Sequence, residues 1–263
     1  MIRIIAPSPL LRPFVRYHWV MSTETPFRAL TFPIGCPQLL FHRKDVLTIP
    51  ELSAAQERFT VSGQVCFSSH VCATRPLETI ATVFRPHTIM PFIGVPPSAF
   101  YNVEISGHDL ENRELSALAG RVLSAASADI AVSLIERYLM SRLDVACDIN
   151  LGRMGRAVSV MLADPSVSVG ALASQSCLCQ KQFERVFRHS VGMNPKKYQG
   201  IVRFQRALRL IQCGSENIAD IAAAAGYADQ SHFTRECRNL VSLTPLGLIK
   251  SGTAYSDLYT EPV

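Results

Sequence analysis

The sequence contains no run of about 20 apolar residues, the length a membrane-spanning helix needs. Its longest apolar stretch, 218–227, is interrupted by Asp220 and is rich in alanine, as closely packed helices are. The opening residues Met-Ile-Arg-Ile-Ile-Ala-Pro lack an apolar core followed by a small-residue cleavage site, so no secretory leader is expected. The eight cysteines are irregularly spaced and form no disulfide framework, which points to a reducing compartment, the cytoplasm. A Gly-rich phosphate loop, a paired metal-ligand motif and a Ser-His-Asp context are all missing. No enzyme activity, catalytic residue, cofactor or resident metal is therefore expected. Charged residues are only 18% of the chain against 48% apolar, a composition that folds rather than stays disordered. At 263 residues the chain is long enough for two ordinary domains.

What charge there is lies unevenly. Residues 1–152 carry 13 basic and 13 acidic side chains, and residues 153–263 carry 13 basic and 8 acidic, so the net charge of +5 belongs wholly to the second part. Within 181–209 there are eight basic residues and one acid, Glu184. A neutral part joined to a basic part predicts a sensing or assembly module attached to one that binds a polyanion.

The basic part contains one pattern twice. Val169, Leu172 and Ala173 align with Ile218, Ile221 and Ala222 at an offset of 49; Phe183, Arg185, Arg188, Val191 and Pro195 align with Phe233, Arg235, Arg238, Val241 and Pro245 at an offset of 50. Each copy reads as a short helix (169–175, 218–225), a tight turn and a second helix (180–190, 230–240). Asn194-Pro195 and Thr244-Pro245 then signal a further helix start. Two helices joined by a tight turn make a helix-turn-helix, whose second helix enters the DNA major groove. A helix over 195–213, about 28 Å long, would hold two such units roughly one groove repeat of about 34 Å apart.

The motifs Leu172-Ala173, Phe183-x-Arg185, Phe187-Arg188, Gly192, Asn194-Pro195, Tyr198, Arg203 and Ala207, then Ile221-Ala222, Gly226-Tyr227, Ser231-x-Phe233-x-Arg235 and Thr244-Pro245, resemble the AraC/XylS transcriptional regulators over roughly 154–250. The resemblance implies an all-α double helix-turn-helix region that binds double-stranded DNA, with RNA polymerase a partner if the protein is an activator. Three positions depart from the pattern. Cys177 stands where the second copy has Gly226, Cys179 where it has the capping residue Asp229, and Ser242 where the first copy has Gly192.

The first part has the texture of short strands, at 14–21, 39–42, 59–61, 64–72 and 79–84, punctuated by Pro, Gly and Ser. The expected fold class is α+β: a small antiparallel barrel or sandwich over 10–101 with short helices at 91–93 and 97–100, helices over 112–143, then the all-α region. Domains are expected at 1–148 and 149–252, joined through a linker near 144–152, with a tail at 253–263. Trp19, Phe84-Arg85-Pro86 and Ile93 to Ser98 resemble the sensor region of one branch of the same family. In the helices, Leu115, Leu118, Ala119, Val122 and Leu123, then Ile130, Leu134, Ile135, Tyr138 and Leu139, stripe one side. They would either cover the barrel or, as the resemblance implies, support a homodimer.

Side chains in the first turns of each second helix that point away from its apolar stripe are the expected base readers: Gln180, Lys181, Glu184 and Arg185, then Gln230, Ser231, His232 and Arg235. Arg188, Lys196, Lys197, Arg203 and Arg238 are expected on phosphates. Trp19, Arg85 and His87 are candidate contacts for a small effector. Two alternatives involve cysteine. Cys177 and Cys179 are either small packing residues or redox-sensitive thiols beside a recognition helix. If 64–72 is a single strand, Cys66, Ser68, His70 and Cys72 share one face and would begin a metal site; against it stand a turn at Ser68-Ser69 and the lack of a fourth ligand. The rival reading is an enzyme, or a redox or metal sensor, fused to a DNA-binding module.

Overall fold

The computed structural model describes residues 2–146, 149–215 and 217–251. Ten strands come first: β1 (Ile2–Ile5), β2 (Val15–Thr23), β3 (Phe27–Thr31), β4 (Gln38–His42), β5 (Thr48–Ile49), β6 (Ala54–Ala55), β7 (Phe59–Ser62), β8 (Ser69–Ala73), β9 (Leu77–Phe84) and β10 (Glu104–Ser106). They form a six-stranded sheet, β1-β2-β9-β4-β7-β10, and a four-stranded one, β3-β8-β5-β6. Every pairing is antiparallel. The segment 64–72 is not one strand: β8 begins at Ser69, and Asn102 N–H bonds to the Gln64 carbonyl in the loop before it. Cys66 therefore leaves the face of His70 and Cys72.

The central strands read as almost continuous apolar runs because both of their faces are covered. On β4, Leu39 and Phe41 face one core while Leu40 faces another; on β2, Val20 opposes Trp19 and Met21 in the same way. The core between the sheets contains Trp19, Leu40, Val71 and Val83. The other core lies under two helices, α2 (Arg113–Leu123) and α3 (Ala128–Met140), which follow the short α1 (Met90–Ile93) and a 3-10 turn at Pro97–Phe100. Leu115, Leu118, Ala119 and Val122 are buried as the spacing predicts. On α3 the buried stripe is Ala131, Val132, Ile135, Tyr138 and Leu139, so the stripe is offset from the expected one: Ile130 is 47% exposed and Leu134 only half-buried.

Seven helices follow among the described residues: α4 (Ile149–Ala163), α5 (Val169–Gln175), α6 (Gln180–Val191), α7 (Pro195–Gln212), α8 (Ile218–Ala225), α9 (Gln230–Val241) and α10 (Pro245–Ser251). Of the expected linker, Leu143–Ala146 is a 3-10 turn, residues 147 and 148 lie outside the described residues, and 149–152 are the first turn of α4. The expected tail at 253–263 also lies outside them. Each helix-turn-helix unit has its own core, and α7 belongs to both. Tyr198, Ile201 and Val202 pack with Phe183 and Phe187, whereas Phe204, Leu208 and Ile211 pack with Ile221 and Phe233. This 18-residue helix is a beam about 27 Å long. Among the described residues no helix is long and apolar enough to cross a membrane.

Candidate nucleic-acid interface

The second helices of the two units, α6 and α9, are placed by the same apolar signal. Phe183, Phe187 and Val191 of α6, and Phe233, Cys237 and Val241 of α9, are fully or almost fully buried. Burying that stripe turns Gln180, Lys181, Arg185 and Arg188 outward on α6, and Gln230, Ser231, Arg235 and Arg238 outward on α9, all of them exposed. Glu184 and His232 are half-buried. Glu184 Oε1 accepts from Gln180 Nε2 at 2.9 Å, which ties the two side chains together. His232 stacks edge-on against Tyr227, 5.3 Å between centroids.

The turns differ between copies. Gly226 (φ 88°) and Cys177 (φ 54°) occupy equivalent left-handed positions, as do Gly192 (φ 96°) and Ser242 (φ 57°). A side chain at such a φ costs about 1–2 kcal/mol. Asp229 Oδ1 caps α9 by accepting from His232 N–H at 2.6 Å. Cys179 occupies the same place on α6 and makes no side-chain cap. Both Cys177 and Cys179 are exposed, which removes the packing explanation for them: the turn projects them outward, away from the core.

The phosphate candidates divide. Lys196 and Lys197 are exposed in the first turn of α7, where Asn194 Oδ1 caps the Lys197 N–H at 2.8 Å. That turn has no acid. Cations are disfavoured at the positive end of a helix dipole, and an anion is favoured there. Arg203 is different. Its guanidinium forks onto Glu236, Nη2 to Oε1 at 2.5 Å and Nε to Oε2 at 3.2 Å, and lies 5.5 Å from the Tyr227 ring centroid. With its side chain 13% exposed, Arg203 ties α7 to α9 instead of facing solvent. Sequence alone had no signal for the partner, 33 residues away.

The effector candidates also separate. Trp19 is buried in the barrel, its Nε1 donating to Gln38 Oε1 at 3.2 Å, and lines a cavity of about 80 Å³ between the sheets. Arg85 and His87 instead line a cleft of about 510 Å³ between the barrel and α4 and α7. Arg16, Arg206 and Arg209 join Arg85 in that wall, Ile34, Leu162 and Ile201 supply apolar surface, and among the described residues no carboxylate lines it. His87 is buried with its Nδ1 unpartnered. Burial, assisted by Arg85, lowers its pKa to about 4, so at neutral pH it carries no charge. His70 pairs with Glu51, Cys66 accepts from Tyr101 and Asn102, and no group of three potential metal ligands forms among the described residues.

Comparison with known proteins matches residues 172–251 to a helix-turn-helix domain family and residues 3–106 to a domain of unknown function, DUF6597. The HTH-type transcriptional activator RhaS of Pectobacterium atrosepticum is 27% identical over 157 residues, 56% of each chain. An AraC-type DNA-binding domain protein from Chromobacterium violaceum is 30% identical across 38% of this chain and 91% of that one, with a TM-score of 0.36. The chain belongs to the AraC-type regulators. Its α+β architecture, antiparallel sheets followed by an all-α double helix-turn-helix, is the one expected from the sequence. This AraC-type chain spans about half the length of the curated relative RhaS. ToxT from Vibrio cholerae, solved with an unsaturated fatty acid bound, is 11% identical over 92% of this chain and 96% of that chain, with a TM-score of 0.48.

Proposed function

We propose that this AraC-type protein binds duplex DNA in a sequence-specific manner and regulates transcription, with α6 and α9 reading adjacent major grooves. The observation that carries this reading is the equivalent outward placement of Lys181 and Arg185 on one helix and Gln230, Ser231 and Arg235 on the other, both packed on the single beam α7. Arginine forks onto a guanine edge, and Lys181 reaches a base or phosphate. Glu184, held by Gln180, accepts from a cytosine amine. Lys196, Lys197, Arg188 and Arg238 anchor the backbone; Arg203 supports α9 from inside. Domain limits near 148 and 252 complete the proposal, with activation requiring contact with RNA polymerase and homodimerisation using the outer side of α3 near Ile130. The effector belongs in the arginine-lined cleft: four cationic residues, an apolar wall and no acid suit an organic anion.

The test is selection of bound sequences from a random duplex pool with the full chain and two variants. Arg185→Ala should relax preference at one position and cost about 1–3 kcal/mol there. Lys196→Ala should weaken all sequences alike and flatten the salt dependence. Identical behaviour of the two variants across sites overturns the division into readers and anchors.

A further inference from the structure

The barrel touches the first reading unit at the place where that unit would grip DNA. The 3-10 turn Pro97–Phe100 packs on α6, and Ser98 borders the groove that also contains Lys181, Glu184, Arg185 and Arg188. Gly192, the cap of α6, sits so close that an added Cβ would lie 3.1 Å from the Pro97 carbonyl oxygen. One residue further along, Tyr101 reaches α7. Its Oη accepts from Lys197 Nζ at 3.2 Å and donates to Cys66 Sγ at 3.0 Å, and the ammonium lies 5.3 Å from the ring centroid.

The Tyr101 hydroxyl is held in place before it meets the lysine. Asn102, at φ 59°, donates from Nδ2 to Cys66 Sγ at 3.3 Å and accepts the Cys66 N–H on Oδ1 at 3.0 Å, and its own N–H bonds to the Gln64 carbonyl. These three bonds fix Cys66, the acceptor of the Tyr101 hydroxyl, against the backbone beside Tyr101, so the tyrosine has a second partner besides the lysine. Lys197 is also one of two cations at an acid-free helix N-terminus, where a phosphate is the favoured occupant.

We propose that Tyr101 is a brake on DNA binding: it holds the Lys197 ammonium, and an operator phosphate must displace it before the first reading unit is fully anchored. This rests on the DNA-binding reading above and deepens it by naming how the barrel lowers affinity in the unbound chain. The same contact gives a route for regulation, because any shift of the 97–101 segment away from α6 releases the lysine.

The experiment measures the affinity of the full chain for a random-sequence duplex across a salt series. Tyr101→Phe removes only the hydroxyl; the net value of one such hydrogen bond predicts binding tighter by roughly threefold to tenfold at low salt. The slope of log affinity against log salt stays at the wild-type value, because Lys197 meets a phosphate in both bound states. Lys197→Ala should flatten that slope by about 0.9 in either background and abolish the gain from Tyr101→Phe. An unchanged thermal midpoint for Tyr101→Phe shows that the fold is intact. Equal affinities of wild type and Tyr101→Phe, or a Lys197→Ala loss equal in both backgrounds, overturn the brake while leaving DNA binding in place. If the wild-type chain shows no salt-dependent affinity for any duplex, the DNA-binding reading itself is what has failed.

Discussion

The first helix-turn-helix unit carries two local defects that its twin lacks, and repairing them should stabilise it by a computable amount. Cys177 holds φ 54° where the second unit uses Gly226 at φ 88°. Replacing Cys177 with glycine relieves about 1–2 kcal/mol of left-handed strain. It also gives back about 0.4–1 kcal/mol through the freer unfolded chain. The cysteine is exposed, so no packing is lost, and the net gain is about 0.5–1 kcal/mol. Cys179 occupies the cap of α6 with no side-chain hydrogen bond, whereas Asp229 accepts the His232 N–H at 2.6 Å. Cys179→Ser supplies the missing acceptor for the N–H of Lys181 or Gln182, worth about 1 kcal/mol, without adding a negative charge next to Lys181 and Arg185. Together they should raise the thermal midpoint by roughly 3–8 °C, since about 1 kcal/mol moves a chain of this size by about 2–4 °C. Amide hydrogen exchange localises the effect: protection at 181 and 182 should rise in Cys179→Ser alone. A lowered midpoint in Cys177→Gly, or unchanged exchange at both amides in Cys179→Ser, refutes the argument.

Other perturbations test other contacts. Glu236→Gln leaves the Arg203 guanidinium without its charged partner in a mostly buried position and should cost about 1–2 kcal/mol, read as increased exchange in α9 with little change in α6. Acid should destabilise the barrel and the cleft. Burial holds His42 and His87 near pKa 4 instead of the ordinary 6.5, so the unfolded chain takes up protons first as pH falls. Stability is then full above about pH 6.5 and is lost toward pH 4, by up to about 3 kcal/mol per histidine. His87→Gln should roughly halve that dependence, and a thermal midpoint flat between neutral pH and pH 5 would contradict it. Ligand binding in the cleft is checked by thermal shift with apolar carboxylates: stabilisation that rises with concentration and is lost in Arg206→Ala supports the site, and none in either protein counts against it.

The second helices of the two units were legible because their signals are short-range. An apolar stripe at spacings of three and four, a cap and a proline determine both a helix and its buried side, and the buried side dictates which residues face outward. Gln180, Arg185 and Arg235 follow from Phe183, Phe187 and Phe233 alone. The same logic anticipated strain at Cys177 and the missing cap at Cys179, because a repeat supplies its own reference. It failed at 64–72, where alternation suggested one strand but the chain turns before Ser69. It also suggested packing for two cysteines that the turn projects into solvent.

By itself, then, the sequence determined the α+β order of elements, the duplicated unit and the outward faces of its second helices. Tertiary structure decided who meets whom. Arg203 finds Glu236 across 33 residues, Lys197 finds Tyr101 across 96, and Arg85 with His87 parts company from Trp19 to line a different cavity. The reason is physical: helix periodicity is set within one turn of backbone, whereas ion pairs and clefts depend on how separate elements are stacked, and nothing in local spacing records that placement.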